Sequence, residues 1–409
     1  MLITADIVLP VAAPPLTPGV VRVEGDRIVA VGTPEELGPH AGEEVIELGS
    51  CALAPGLINI HTHLDYMEFK GSINPPKNFV AWIKAINALK RHFDTEDYVR
   101  AIRRGFRELM QGGTTSVGNI EAFPEVLPLL EPPPLRVWWF LELIDVRNKK
   151  YEEDSVLGAL SFFENHRDWQ GGFGLSPHAP YTASIGLYRL AKRCSEQFQM
   201  PFTTHIAESV DEQQMFVNGT GELFDFMAGM DRDMGDCGHG SALSHLDEHG
   251  VLTRDCIAVH LNYLQEYDYE TIAHTGIHIT HCPKCHSYFG HSPFPMEKLL
   301  EQGANICLAS DSLASNNELD LRAEIREARA KHPDVPNETW MRTVTANPAR
   351  ALGREGELGV IAPGALADLA AFHVDGGWHD PYDALIVSRH HARMVLVGGK
   401  RIYEYNRPY

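Results

Sequence analysis

The sequence has no run of 18 apolar residues, so it predicts no membrane span. It is poor in cysteine. Seven are scattered along the chain, an odd number that argues against a disulfide framework and suits a reducing compartment. Positive charge is also scarce: 35 Lys and Arg stand against 55 Asp and Glu, for a net charge of −20. Phosphate binding needs a basic face, so a nucleic-acid partner is not expected. The opening "MLITADIVLPVAAPP" lacks a basic n-region and a long apolar core, so no signal peptide is expected and a cytoplasmic location is. There is no internal repeat and no low-complexity tract. What remains is 409 residues of ordinary globular composition, 44% hydrophobic. That suffices for one large α/β barrel or two to three smaller domains.

The middle of the chain alternates short apolar runs with helical stretches. Eight runs read as strands: "APGLINIHTH", "GTTSVGNI", "LRVWWFLELI", "GFGLSPHAPY", "PFTTHIAE", "CIAVHLNYL", "GIHITHCP" and "NICLASDS". Stretches such as "TEDYVRAIRRGFRELMQGG", "SIGLYRLAKRCSEQF", "FPMEKLLEQG" and "NELDLRAEIREARAKH" read as helices between them. Strand alternating with helix implies a parallel sheet, and eight such units predict a closed (β/α)₈ barrel of the TIM type. A doubly wound open sheet is the rival. The two ends differ from the middle. Residues 1–54 and 358–409 are short strands and turns, each too small for its own core. They are expected to pair into one small β-sandwich domain, leaving residues 55–357 as the barrel.

Within the predicted barrel the titratable residues gather at the C-terminal strand ends, where such barrels carry their active sites. His61 and His63 close the first strand. Side chains two apart on a strand point the same way, and two neutral imidazoles side by side suit a shared metal. His205 closes the fifth strand and Asp311 the eighth. Three imidazoles and a carboxylate make a ligand set for a zinc-like ion with room for a water. Taken singly, His205 reads as a hydrogen-bonded histidine and Asp311 as a helix cap; their joint placement lifts them. Glu208, three residues after His205, can face the cavity without binding metal and carry protons. His260, closing the sixth strand, can polarise the substrate or steady the attacking hydroxide.

These pieces resemble the amidohydrolase superfamily, in its deaminase and chlorohydrolase branch. The resemblance rests on "PGLINIHTH", "LSPHAPYTAS", "HIAES", "AVHLNYL", "HCPKCHSYFGHSPFPMEKLLEQG", "LASDSLASNNELDL" and "GALADLAAF", which occur in the family's order over nearly the whole chain. It implies one divalent metal ion held by His61, His63, His205 and Asp311, zinc in preference to iron. The fourth strand carries no lysine at its end, where binuclear relatives place a bridging one, so one metal is expected rather than two. The resemblance also implies that Glu208 is the proton shuttle, that Asp311 shares in proton transfer, that His260 contacts hydroxide or substrate, and that His178 bonds a ring nitrogen. The implied reaction is hydrolytic loss of ammonia from an aminopurine nucleoside.

Substrate contacts are read more widely. "HLDYMEFKGSINPPKNFVAWIKAINALK" and "FLELIDVR" resemble the subgroup acting on 6-aminodeoxyfutalosine, an adenine nucleoside carrying a benzoate, in menaquinone synthesis. Arg147 is placed to pair with such a carboxylate, or to form a surface salt bridge. Glu142 closes the third strand. Trp82 is a ring shelf or, by its spacing with Phe79, Ile83 and Ile86, part of the core. Tyr288 and His286 follow the seventh strand and are expected to line the pocket. Cys285-His286 departs from the Ser-Asn often found there in the family. The flanking "THCPKCHS" also admits a structural zinc site through Cys282 and Cys285, although the stretch reads better as a strand running into its loop. Rival readings are a guanine or pyrimidine deaminase, a triazine chlorohydrolase, and a non-catalytic barrel used for binding or assembly. The expected partner is a small molecule, with no nucleic acid and no membrane. The sequence does not set the oligomeric state, for which a homodimer is the commonest form.

Overall fold

The structure, a computed structural model, describes residues 1–146, 153–166 and 168–405. Its centre is an eight-stranded, all-parallel sheet in sequential order: β1 (Leu57–Thr62), β2 (Thr114–Glu121), β3 (Arg136–Leu143), β4 (Gly171–Pro177), β5 (Phe202–Ile206), β6 (Cys256–His260), β7 (His278–His281) and β8 (Asn305–Leu308). β1 and β2 are buried at every position, as expected of parallel strands covered on both faces.

Side chains just past β8 close the ring against β1. Asn59 Nδ2 donates to Ser310 Oγ (2.7 Å), and the Ser310 amide donates to Asn59 Oδ1 (3.2 Å). The Asp311 amide donates to the His61 carbonyl (3.2 Å), and the Thr62 hydroxyl donates to the Asp311 carbonyl (2.9 Å). The closed barrel, not the open sheet, is therefore the observed fold. Close approach constrains β2 as well. A Cβ on Gly118 would stand 2.2 Å from the Ile60 carbonyl oxygen, so only glycine fits there.

Two helices shape one wall. α1 (Phe79–Lys90) starts at Asn78, whose side chain accepts from the Ala81 amide at 2.8 Å. α2 (Thr95–Gln111) starts with a reciprocal capping box between Asp94 and Asp97. It buries Val99, Ile102, Phe106 and Leu109, the stripe expected at helical spacing. It ends at Gly112. Gly113 follows at φ +80°, and a Cβ there would meet the Phe372 ring at 2.2 Å.

Both chain ends contribute strands outside the barrel. A four-stranded sheet holds Arg27–Gly32, Gly19–Glu24, Leu2–Ala5 and Val45–Glu47 in that order. A five-stranded sheet holds Lys400–Glu404, Ala392–Val397, Leu369–His373, Cys51–Pro55 and Ile7–Val8. Ile3, Val21 and Val23 of the first share a core with Leu53, Leu369 and Leu396 of the second. This small sheet domain is tied to the barrel by a bidentate pair. Arg136 Nε and Nη2 donate to Asp368 at 2.6 and 3.0 Å, and the Gly398 amide donates to the same carboxylate at 2.7 Å. No helix among the described residues is long and apolar enough to cross a membrane.

Candidate active site

The candidate ligands converge at the C-terminal mouth of the barrel. His61 is in β1 and His63 just follows it, so period two turns both imidazoles to one side. Nε2 of His61 lies 3.4 Å from Asp311 Oδ1, and Nε2 of His63 lies 3.8 Å from the same oxygen. From β5, His205 brings its Nε2 to 3.4 Å from His63 Nε2. The donor atoms of His61, His63 and Asp311 lie within 4.8 Å of one another, as do those of His61, His205 and His260.

The donor chemistry fits a divalent metal. Nε2 of His61, which faces the cluster, is buried without a hydrogen-bond partner among the described residues, a costly state that a cation there relieves. His205 donates from Nδ1 to the His178 carbonyl at 2.9 Å, which leaves the Nε2 lone pair facing the cluster. Burial, aided by neighbouring imidazoles, holds His63 and His260 well below the usual histidine range and His205 at about 3. All three are neutral, as metal ligation requires. Burial alone would raise Asp311, yet His61 above all, then His260 and His63, hold its carboxyl well below the usual range.

The backbone is bent to present these groups. Ala207, His260 and Asp311 have φ of +51°, +78° and +56°, conformations that cost a non-glycine residue about 1–3 kcal/mol each. The surrounding bonds enforce them. Behind Ala207, the Glu212 carboxylate accepts from the Ala207 amide (2.9 Å) and the Glu208 amide (2.8 Å). Asn262 Nδ2 donates to the Glu208 carbonyl at 3.0 Å. Glu208 is thereby held with Oε1 3.7 Å from His260 Nε2. Burial, with Asp311 and Glu212 nearby, pushes its carboxyl well above the usual range.

A cavity of about 340 Å³ opens over this cluster, touching His63, His205, Glu208, His260 and Asp311. Trp82, Ile86 and Lys90 of α1 form one wall, and Glu142 and His178 stand at the ends of β3 and β4. Burial lowers the His178 imidazole to about 3, so it is neutral. Its Nδ1 lies 2.6 Å from the Thr182 hydroxyl. A more open groove of about 680 Å³ lies beside this cavity, sharing Val146 and Thr182 with it, but holds none of the clustered ligands.

Two expected pocket residues are elsewhere. Pro283–Phe289 is a helix rather than a loop, and it aims both of them away from the cavity. His286 donates from Nε2 to the Ser292 carbonyl at 2.8 Å, and the Tyr288 hydroxyl donates to the Ile73 carbonyl at 3.1 Å. Arg147 lies outside the described residues. Cys282 and Cys285 are buried in an apolar cluster with Ile60, Val259 and Cys307, where burial keeps their thiols protonated. Among the described residues, no group of three converging donors includes them, which removes the structural zinc reading.

Sequence reasoning missed several contributors. Tyr66 stacks on His63 with ring centres 5.4 Å apart. Glu212 and Asn262 brace Glu208. Ser209-x-x-Glu212 has the form of a capping box, a signal that concealed the role of its glutamate.

Comparison with known proteins places these residues in a wider setting. The amidohydrolase family profile matches residues 52–402. The 5-methylthioadenosine/S-adenosylhomocysteine deaminase of Pyrococcus abyssi is 30% identical over 367 residues, covering 87% of this chain and 81% of its own. The aminodeoxyfutalosine deaminase of Deinococcus radiodurans is 28% identical over 368 residues, covering 86% and 85%. The crystal structure of a zinc-bound adenosine deaminase from Xanthomonas campestris superposes with a TM-score of 0.83 at 25% identity, over 98% of this chain and 92% of that one.

Proposed function

The chain belongs to the amidohydrolase family, and we propose that it is a metal-dependent hydrolytic deaminase of aminopurine nucleosides. One observation carries the reading: a buried carboxyl, Glu208, shares a cavity with a convergent three-histidine, one-aspartate ligand cluster and stands 3.7 Å from His260. The adenine-nucleoside chemistry named in the relatives supports the substrate class.

In this reading His61, His63, His205 and Asp311 would hold one divalent ion, taken as zinc by likeness to the zinc-bound relative. When bound, such an ion supplies Lewis acidity and brings the pKa of a water toward neutrality. Asp311, ionised and fixed by the Ser315 hydroxyl at 3.1 Å, accepts a proton from the attacking water. Neutral His260 steadies the water's oxygen as it adds to the amino-bearing ring carbon. Glu208, protonated by virtue of its burial, gives its proton to the adjacent ring nitrogen. The emptied Glu208 carboxylate then takes the remaining hydroxyl proton of the tetrahedral adduct and delivers it to the amine, which leaves as ammonia while the ring carbon keeps the oxygen as a carbonyl; the proton held by Asp311 returns to Glu208 for the next turnover. When the Thr182 hydroxyl donates to His178 Nδ1, the other nitrogen of His178 carries a proton for a second ring nitrogen. Trp82 and Ile86 exclude bulk water from one side, and Glu142 accepts from sugar hydroxyls.

The test is ammonia release, with the accompanying ultraviolet change, by zinc-loaded protein. The panel holds 6-aminodeoxyfutalosine, adenosine, methylthioadenosine, S-adenosylhomocysteine, 5′-deoxyadenosine, guanine and cytosine. Deamination of at least one adenine nucleoside is expected, with a loss of about 10²–10⁴-fold in Glu208→Gln at unchanged metal content. Silence on all the nucleosides by metal-loaded protein would overturn the substrate class.

A further inference from the structure

The reacting end of the cavity accounts for its histidines, Glu208 and Asp311. One cation on the wall is left over. Lys90 is the last residue of α1, and the helix turns Trp82, Ile83, Ile86 and Lys90 to the same cavity. Its ammonium stands over the Tyr66 ring at 4.5 Å and the Phe123 ring at 5.9 Å. It makes no hydrogen-bonded ion pair among the described residues; the buried Asp65 carboxyl feels its charge, but burial still pushes that carboxyl up to about 8, so it is no fixed counter-charge. Tyr66 in turn stacks on His63 at 5.4 Å, so the ammonium lies no more than about 10 Å from the His63 ring, within reach of one bound nucleoside.

A half-buried lysine with no hydrogen-bonded counter-charge among the described residues, on a wall it shares with Trp82, Ile83 and Ile86, calls for an anion from the ligand. We propose that Lys90 binds a carboxylate carried on the sugar substituent of the substrate, and thereby selects carboxylate-bearing aminopurine nucleosides over neutral ones. The inference rests on the deaminase reading for the ring and adds the charge at the other end. The aromatic faces of Tyr66 and Phe123 keep the ammonium in place and partly desolvated, which strengthens its pairing with an incoming carboxylate. Sugar hydroxyls serve Glu142, so the acidic and the basic side chain of the wall are met by different parts of one ligand.

The experiment compares matched pairs: 6-aminodeoxyfutalosine and S-adenosylhomocysteine, each against its decarboxylated analogue. Wild type, Lys90→Gln and Lys90→Arg are assayed for the ratio of kcat/KM within each pair, with thermal melting to certify the fold. Wild type is expected to favour the carboxylate member of at least one pair by about 10- to 100-fold, the range for a hydrogen bond to a charged group. Lys90→Gln should bring that ratio near unity, and Lys90→Arg should restore most of it. Equal rates within both pairs, or a preference that survives Lys90→Gln, would overturn the inference. Calorimetric binding of the same pairs to zinc-loaded Glu208→Gln separates the two readings. Carboxylate-selective binding lost in the added Lys90→Gln variant, without turnover of any nucleoside by the parent enzyme, would sustain Lys90 and sink the deaminase reading.

Discussion

Glu212→Gln should separate stability from turnover. The carboxyl of Glu212 is fully buried, and burial lifts it from 4.5 to about 7 despite the two backbone amides it accepts. Between those values the folded chain keeps a proton that the unfolded chain has released. The contribution of this group to stability is therefore complete below about pH 4.5, declines as pH rises and levels off above about 7. At 1.36 kcal/mol per pH unit the whole decline is about 3 kcal/mol. Glutamine matches the protonated acid in shape and does not titrate. Near pH 4.5 the metal-free variant should be less stable than wild type by about 1–3 kcal/mol, the cost of the one amide left without an acceptor, and by pH 8 it should draw level or pass it as wild type loses about 3 kcal/mol. Turnover should move the other way. The amide has one acceptor oxygen for two amide donors, so either Ala207 or Glu208 loses its partner in a turn already held at a positive φ. A 1 Å displacement of a catalytic carboxyl costs about 100-fold. The assay is urea unfolding of metal-free protein across that pH range, paired with ammonia release by the zinc-loaded forms near pH 8. A variant less stable than wild type at the alkaline end would show that the two amide bonds outweigh burial. Unchanged kcat would refute the bracing of Glu208.

Other substitutions probe the frame. Asp368→Asn breaks a buried bidentate pair with Arg136 and should cost about 3–5 kcal/mol by denaturant unfolding; a loss below 1 kcal/mol would mean that the tie between barrel and terminal sheet is incidental. Gly118→Ala sets a Cβ against the Ile60 carbonyl and should leave little soluble protein, or one with a sharply lower Tm; wild-type melting would contradict the close approach of β1 and β2. His61→Ala should abolish stoichiometric zinc measured by elemental analysis, whereas the Cys282→Ala, Cys285→Ala double variant should retain it. The reverse result would relocate the metal.

Much of this was legible because barrel strands are simple devices. A run of buried residues ending in His61-Thr62-His63 fixes both strand and direction, and the same holds for His205 and Asp311. Their convergence needed only the closed sheet. Helix geometry was harder. The stretch "THCPKCHS" reads as a strand running into a loop, yet Pro283 at the first helical position starts a seven-residue helix, and neither His286 nor Tyr288 on it lines the cavity. Lys90 is in sequence no different from any cation at a helix end, where charge complements the dipole, and nothing local shows that the helix faces the cavity there. The seven-residue separation of Glu212 from His205 likewise gave no hint that its carboxylate folds back under the strand end. Contacts made across the mouth by residues from different strands leave no periodic trace in the chain.

The five-stranded terminal sheet sets the order in which this enzyme can mature. Cys51–Pro55 lies one residue ahead of β1, and its antiparallel partner is Leu369–His373, more than 300 residues downstream. On the ribosome, the strand leading into His61 and His63 has Ile7–Val8 on one side, but its other edge waits unpaired until more than 300 further residues have been made. A chain stopped after Asp368 would contain every candidate ligand and the entire eight-stranded sheet, yet it is expected to take up zinc weakly, because β1 would lack its anchor. In the proposed reading, metal acquisition would be a late checkpoint of synthesis: the first candidate ligands to be translated are set in place by a strand made more than 300 residues later.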